Sequence, residues 1–426
     1  MTTMPTSLRR RRLVQGLAAS PVLGLPALAR AQQGKTIRIG YISPLTGPLA
    51  PFGETDKYTV ARIQALLKDG LTINGTRHPV EILVRDSQSN PNKAAELAGN
   101  LILNEKVALM LPASTTDAIN PVADQCELNG VPCLSSQAPW QSFVFPRGGS
   151  ADKPFKWTYH FFWGLEDVLA TFTSMWGQVE TNRKVGMLFP RNADGEAWGN
   201  KEWGLPPAVS KAGFQTVIPS SFQPLTNDFS AQIAEFKKNG VEIVGGITYP
   251  VDLKTFITQS RQQQFKPKVV TVAAALLFPS GVESMGDLGN GMSTEVWWTP
   301  AFPFKSSLTG ETGQKLAADW EAEMKKQWTQ PLGYAHALWE VALDALKRAK
   351  DPTSREAIRQ AITETDLTTM AGPIKFKGGP TPNICKTPIV GGQWVRGQKY
   401  RYDLKIVDNV SGKLVPVQGN LQPIQG

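Results

Sequence analysis

Three cysteines in 426 residues are too few for a disulfide framework, and no CxxC pair or Cys/His cluster has metal-ligand spacing. Histidine is as scarce: His78, His160 and His336 stand far apart and read as surface or structural residues, so no metal is expected. There is no GxSxG elbow, no P-loop and no GxGxxG after a strand. The common nucleophile, nucleotide and dinucleotide chemistries therefore have no carrier, and neither an enzyme nor a cofactor is expected. Only a carboxylate mechanism has nothing against it, since Asp and Glu are abundant. Beyond residue 31 no segment approaches the ~20 apolar residues of a membrane-spanning helix. Lys and Arg are interleaved with Asp and Glu, which argues against a nucleic-acid partner.

What the chain does have begins at its N-terminus. Four arginines, Arg9 to Arg12, precede an apolar stretch, 13–28, broken by Gly16, Pro21, Gly24 and Pro26 and followed by Ala29-Arg30-Ala31. That is the n-region, h-region and small-residue cleavage site of an export signal. Residues 1–31 are read as a cleaved signal peptide, with the mature chain starting at Gln32. Arg10-Arg11 before Leu13-Val14-Gln15 fits a twin-arginine signal; an arginine-rich general secretion signal is the alternative. No cysteine follows the site to accept a lipid anchor. Cleavage removes five arginines and no acid, so the formal charge falls from +9 to +4. About 395 residues remain, enough for two domains. Outside the cytoplasm Cys126 and Cys133 either bridge or are two small buried residues on adjoining elements, with Cys385 left over.

Apolar periodicity then alternates between two and 3.6. Strands are expected at 36–43, 79–85, 107–111 and 131–135, helices at 53–67, 92–104 and 116–128, and Asn74-Gly75 signals a hairpin. After an aromatic, irregular stretch (140–163) the alternation resumes: helices at 166–180, 228–239 and 252–263, strands at 184–189, 214–218, 243–247 and 269–273. A further helix, 196–212, is interrupted by Pro206-Pro207. The fold class is α/β, two doubly wound parallel sheets. Helical blocks at 310–328, 334–349 and 354–363 lack strands of their own. They would bury their apolar stripes against the first sheet, which makes the first domain discontinuous.

Ligands of such sheets sit beyond the carboxyl ends of the strands. One such loop, 112–117, contains Ser114, Thr115 and Thr116 at a helix start, suited to a carboxylate or simply to capping. The next, 135–140, ends on Trp140, either a pocket wall or an inward-packed ring. In the second domain 190–198 and 248–250 hold equivalent places.

The opening run from Ile39 to Ala50 (IGYISPLTGPLA), followed by Phe52-Gly53-Glu54, resembles the leucine/isoleucine/valine-binding family of type I periplasmic solute-binding proteins. The Ser/Thr loop at 114–116, Gly130-Val131-Pro132 and Gly372-Pro373-Ile374-Lys375-Phe376 extend the likeness over the mature chain. The resemblance implies two lobes joined by a three-crossing hinge near 160–164, 298–301 and 371–373. Lobe 1 would be 36–160 plus 301–370, and lobe 2 161–299 plus 371–426. It implies a monomeric receptor in the periplasm that closes on a small-molecule solute for the membrane permease of an ABC importer, or for a signalling system as a sensor subunit. Phe52, Ser114, Thr115, Thr116, Gln137, Trp198 and Tyr249 match the family's ligand positions, and Trp140 is added as a wall. Two departures matter. Pro139 or its neighbour stands where amino-acid binders place a hydroxyl, and 273–278 carries no acid for a ligand ammonium. An unpaired buried ammonium costs several kcal/mol. A carboxylate solute, aromatic or otherwise apolar, is therefore expected in place of an α-amino acid, unless Asp194 or Glu196 supplies the acid; a branched-chain amino-acid receptor is the alternative.

Overall fold

A computed structural model describes residues 32–410 and 413–425. The expected export signal, with its cleavage site near Ala31, lies outside them. Among the described residues no helix is long and apolar enough to cross a membrane.

The first sheet is wholly parallel, in the order Val80–Asp86, Ile37–Ser43, Leu109–Pro112, Cys133–Ser136, Thr158–Phe161, Ile384–Cys385. Its inner strands are apolar runs rather than alternating ones, because helices cover both faces; Leu109, Met110 and Leu111 are fully buried. Asn90 caps the helix Pro91–Leu103 by accepting from the Lys93 N–H at 3.0 Å, with Pro91 at the first turn. The helix Thr116–Asn129 stops at Gly130, whose φ of 64° suits the left-handed cap. Asn74-Gly75 joins Leu71–Ile73 to Thr76–His78 in a two-residue hairpin, both turn residues at positive φ.

The second sheet is also parallel, in the order Gln215–Val217, Lys184–Leu188, Ile243–Thr248, Val269–Val270, with Ala273–Ala274 continuing the last edge. Ser293–Val296 extends it through a parallel bridge at Thr271, and carries the antiparallel strands Val390–Arg396 and Tyr402–Asp408. Pro206 and Pro207 do not interrupt a helix. They lie in the first turn of a separate one, Leu205–Lys211, where a missing N–H costs nothing; the preceding helix is Ala193–Trp198.

The late helices return to the first sheet as expected. Pro331–Arg348 is buried along nearly its whole length, and its Trp339 stacks on Tyr41 of the strand Ile37–Ser43 at 5.6 Å. The chain passes between the two halves three times, at 162–164, 297–300 and 386–389. The third passage lies beyond the 371–373 suggested by the family likeness. Asp366–Thr369 and Gly372–Lys375 form a hairpin, and Ile384–Cys385 adds an edge strand to the first sheet beside Thr158–Phe161. Residues 371–385 thus sit with the first sheet. Lys386 on the third passage pairs with Glu166 at 2.7 Å and Asp167 at 2.8 Å next to the first. Cys126 and Cys133 are buried free thiols on adjoining elements. His160 is buried between Ser135 and the Ala138 carbonyl.

Candidate solute site between the two sheets

Both parallel sheets reverse strand order once. In the first, the chain moves outward in opposite directions on either side of the boundary between Ile37–Ser43 and Leu109–Pro112; in the second, the boundary lies between Lys184–Leu188 and Ile243–Thr248. Loops leaving the carboxyl ends at such a point diverge and open a crevice. Here the two crevices face each other. Between them lies a narrow cavity of about 30 Å³, lined from the first half by Phe52, Thr115 and Gln137, from the second by Asp194, Trp198, Ala274 and Glu295, and from the passages by Phe162, Trp163 and Trp297.

Four residues at or beside this lining have left-handed backbone. Ser114, Thr115, Gln137 and Ala274 have φ of 59°, 64°, 73° and 66°. Thr115, with ψ of 151°, occupies a region that is essentially glycine's own; a β-branched residue there costs about 1–3 kcal/mol. Such strain persists where the surrounding fold imposes it, commonly at ligand sites. The same loops leave polar atoms buried and unpartnered: Ser114 Oγ, Thr115 Oγ1 and Gln137 Oε1, with the indole N–H groups of Trp163 and Trp198. Each unpaired group costs about 1–3 kcal/mol. The walls are aromatic. Trp163 meets Trp198 edge-on at 6.0 Å, and Phe162 meets Trp297 at 5.0 Å.

Two carboxylates stand on the second-half wall: 273–278 carries none, but Asp194, the alternative read from the sequence, lies there together with Glu295. Glu295, on the strand adjoining 273–278, accepts from the Ala274 N–H at 3.3 Å and the Thr294 hydroxyl at 2.7 Å. Burial pushes its carboxyl up to about 7 against those donors. Asp194 accepts from Tyr249 Oη at 2.8 Å and, across the interface, from the Thr116 N–H at 3.3 Å. Burial raises its pKa as well.

The periplasmic binding protein family model matches residues 36–392. The chain belongs to that family. The match covers most of the chain and both crevices, and membership implies export to the periplasm. This periplasmic binding protein is 26% identical over 243 residues to Leu/Ile/Val-binding protein homolog 3 of Brucella melitensis biotype 1, a match spanning 55% of this chain and 59% of that relative. In fold it is similar to a leucine binding protein LivK from Thermotoga maritima (TM-score 0.71, 19% identity, 88% of this chain and 99% of the other). It is similar too to a solute binding protein of an ABC transporter from Rhodopseudomonas palustris in complex with 3,4-dihydroxybenzoic acid (TM-score 0.69, 18% identity, 89% and 99%). The type I binding-protein fold expected from the sequence is the one observed.

Of the residues singled out in the sequence, Phe52, Thr115, Gln137 and Trp198 line the cavity. Ser114 and Thr116 are buried on either side of Thr115. Tyr249 stands behind the wall, bonded to Asp194. Trp140 does not reach the cavity. It opens a short helix, Trp140–Val144, packs edge-on against Phe145, and donates its indole N–H to Glu166 at 3.2 Å. Pro139 before it still lines the cavity. Phe162, Trp163, Glu295 and Trp297 were not singled out. A glutamate within the otherwise uncharged run Ser293–Val296 was the one readable sign, since a carboxylate inside a buried strand needs a reason.

Proposed function

We propose that this binding protein is the receptor of an ABC importer, closing its two halves on a small organic acid with a flat apolar body and handing it unchanged to a membrane permease. The observation that carries the reading is the Ser114–Thr115 turn: a strained loop at a helix N-terminus with two unpartnered hydroxyls, opposite aromatic walls. A carboxylate there gains charge-assisted hydrogen bonds and the helix dipole, and its body stacks among Phe52, Trp163 and Trp198. Because the solute would touch both halves, it stabilises the closed form over an open one. Empty and loaded receptor then present different surfaces to the permease. Glu295 and Asp194 stand on the opposite wall, with burial raising both carboxyls. They favour a second reading, an α-amino acid whose ammonium they would hold.

Thermal unfolding with added solutes separates the two. Benzoate or 3,4-dihydroxybenzoate is expected to raise the Tm, by about 2.7 kcal/mol of stabilisation at a hundred times Kd, while leucine and isoleucine do nothing. Stabilisation by leucine alone would make the chain an amino-acid receptor. No shift across a broad metabolite library would remove the receptor reading altogether.

A further inference from the structure

The two halves meet through a ladder that contains two acids and no base. Asp117, second residue of the helix Thr116–Asn129 in the first half, accepts from Asn192 Nδ2 at 3.2 Å. Asn192 belongs to the second half, where it caps the helix Ala193–Trp198 through the Gly195 N–H at 3.0 Å. The same amide nitrogen donates to Tyr249 Oη at 2.9 Å, and Tyr249 donates to Asp194 at 2.8 Å. Asp194 closes the ladder on the first half through the Thr116 N–H. Two carboxylates on opposite halves are thus brought together at the edge of the cavity, Asp194 on its wall, joined by neutral donors.

The groups facing this pair are Glu196 on the same short helix, which adds to the negative charge, and the Tyr249 phenol, whose own ionisation burial and the two acids oppose. The helix Trp140–Val144 and the strand Ile243–Thr248, packed alongside, carry no charged residue. Among the described residues no Lys or Arg forms an ion pair with Asp117 or Asp194. Like charges held together away from water favour sharing a proton.

We propose that closure of the two halves takes up a proton at the Asp117–Asp194 pair, so that the receptor grips its solute more tightly as its surroundings acidify. The inference rests on the receptor reading, because a pair split between the halves is assembled only by closing. Apart from each other and in water, both carboxyls titrate in the ordinary range near 4. Closed, Asp117 is pushed up to about 7 by burial and by the Asp194 charge, against the Ala193 N–H and the Asn192 amide. The closed form therefore binds more protons than the open form between those limits. Linkage then makes closure more favourable as pH falls through about 7, and the gain levels off near 4.

The test is calorimetric titration of the mature protein with whichever of benzoate or leucine raises its Tm, at pH 8 and pH 6, in buffers of different ionisation enthalpy. Kd is expected to fall about tenfold from pH 8 to pH 6, with uptake of close to one proton. In Asp117→Asn, which keeps an acceptor for Asn192, the pH dependence should vanish, with affinity at pH 8 above the wild-type pH 6 level and close to the limit the wild type approaches near pH 4. Asp194→Asn should move the step below pH 6. Binding with no proton uptake, or a pH dependence unaltered in Asp117→Asn and so owed to Glu295, overturns the latch and leaves the receptor reading standing. If no solute binds, that reading fails, and X-ray scattering of the solute-free protein decides the latch: a radius of gyration that does not fall from pH 8 to pH 5 overturns it.

Discussion

Replacing Ser114 by Ala and Thr115 by Gly together should abolish useful affinity for the solute while leaving the protein melting no lower than wild type. A hydrogen bond to a charged group contributes about 1.5–3 kcal/mol. Losing two therefore weakens binding by about a hundredfold or more. Stability should move the other way. Both hydroxyls are buried without partners, and Thr115 holds a backbone conformation suited to glycine. Removing the hydroxyls and relaxing the strain gains a few kcal/mol, more than the ~1 kcal/mol that a new glycine loses to unfolded-state entropy. Calorimetric binding and thermal melting on the same preparation check both halves of the prediction. A double variant that binds normally would remove this turn from the site; one that merely unfolds would show that the loop is structural.

Gly195→Ala should be the most damaging small substitution near the cavity. Gly195 lies under the loop after Lys184–Leu188, and a Cβ there would come within 1.8 Å of the Pro190 carbonyl oxygen, far inside contact distance. The helix Ala193–Trp198 must shift or unwind, and it carries Asp194 and Trp198 and is capped by Asn192. A loss of about 3 kcal/mol or more is expected, in the range of severe core lesions. Gly240→Ala is the control. Its φ is positive, at 64°, unlike that of Gly195, but nothing stands within 4 Å of the added carbon, so it should lose only about 1–2 kcal/mol. Chemical denaturation of the two variants separates the clash from a general intolerance of alanine. Near-equal stabilities would contradict the packing described.

The contrast between these loops and the sheets explains what the sequence made legible. Strands such as Leu109–Pro112 advertise themselves because burial on both faces demands an uninterrupted apolar run, and Asn74-Gly75 because few other pairs adopt both positive φ values at low cost. The alternation of such elements, with late helices lacking strands, was enough to predict two parallel sheets and a discontinuous first half. The prolines at 206–207 misled because a helix-breaking residue and a helix-starting one look alike without knowledge of where the helix begins. The third passage was placed too early because the two-residue strand Ile384–Cys385 is recognisable only by its partner, Thr158–Phe161.

The site was legible in part for the same reason. Thr115 and Gln137 follow strand ends directly, so local order locates them, whereas Phe52 and Trp198 stand well beyond theirs and came from the family likeness. Glu295 and Trp297 reach the cavity only because Ser293–Val296 pairs beside Val269–Ala274 through a bridge at Thr271, a long-range register that no local pattern announces. Trp140 has the opposite history. It follows a strand end as a wall residue should, yet its indole turns to Glu166 and the passage between the halves. The Asp117–Asn192–Tyr249–Asp194 ladder joins four residues from three loops and was not readable from any of them.

The central claim is that the two strand-order reversals jointly hold one solute. A crystal structure of the protein grown with the acid or amino acid that raises its Tm tests this most directly. The account predicts electron density with the solute carboxylate at the Ser114–Thr115 turn and its body between Phe52 and Trp198. Solute bound elsewhere, for example in the separate pocket near Phe265 and Met292 at the far end of the second sheet, with the space between the halves unchanged, would contradict it.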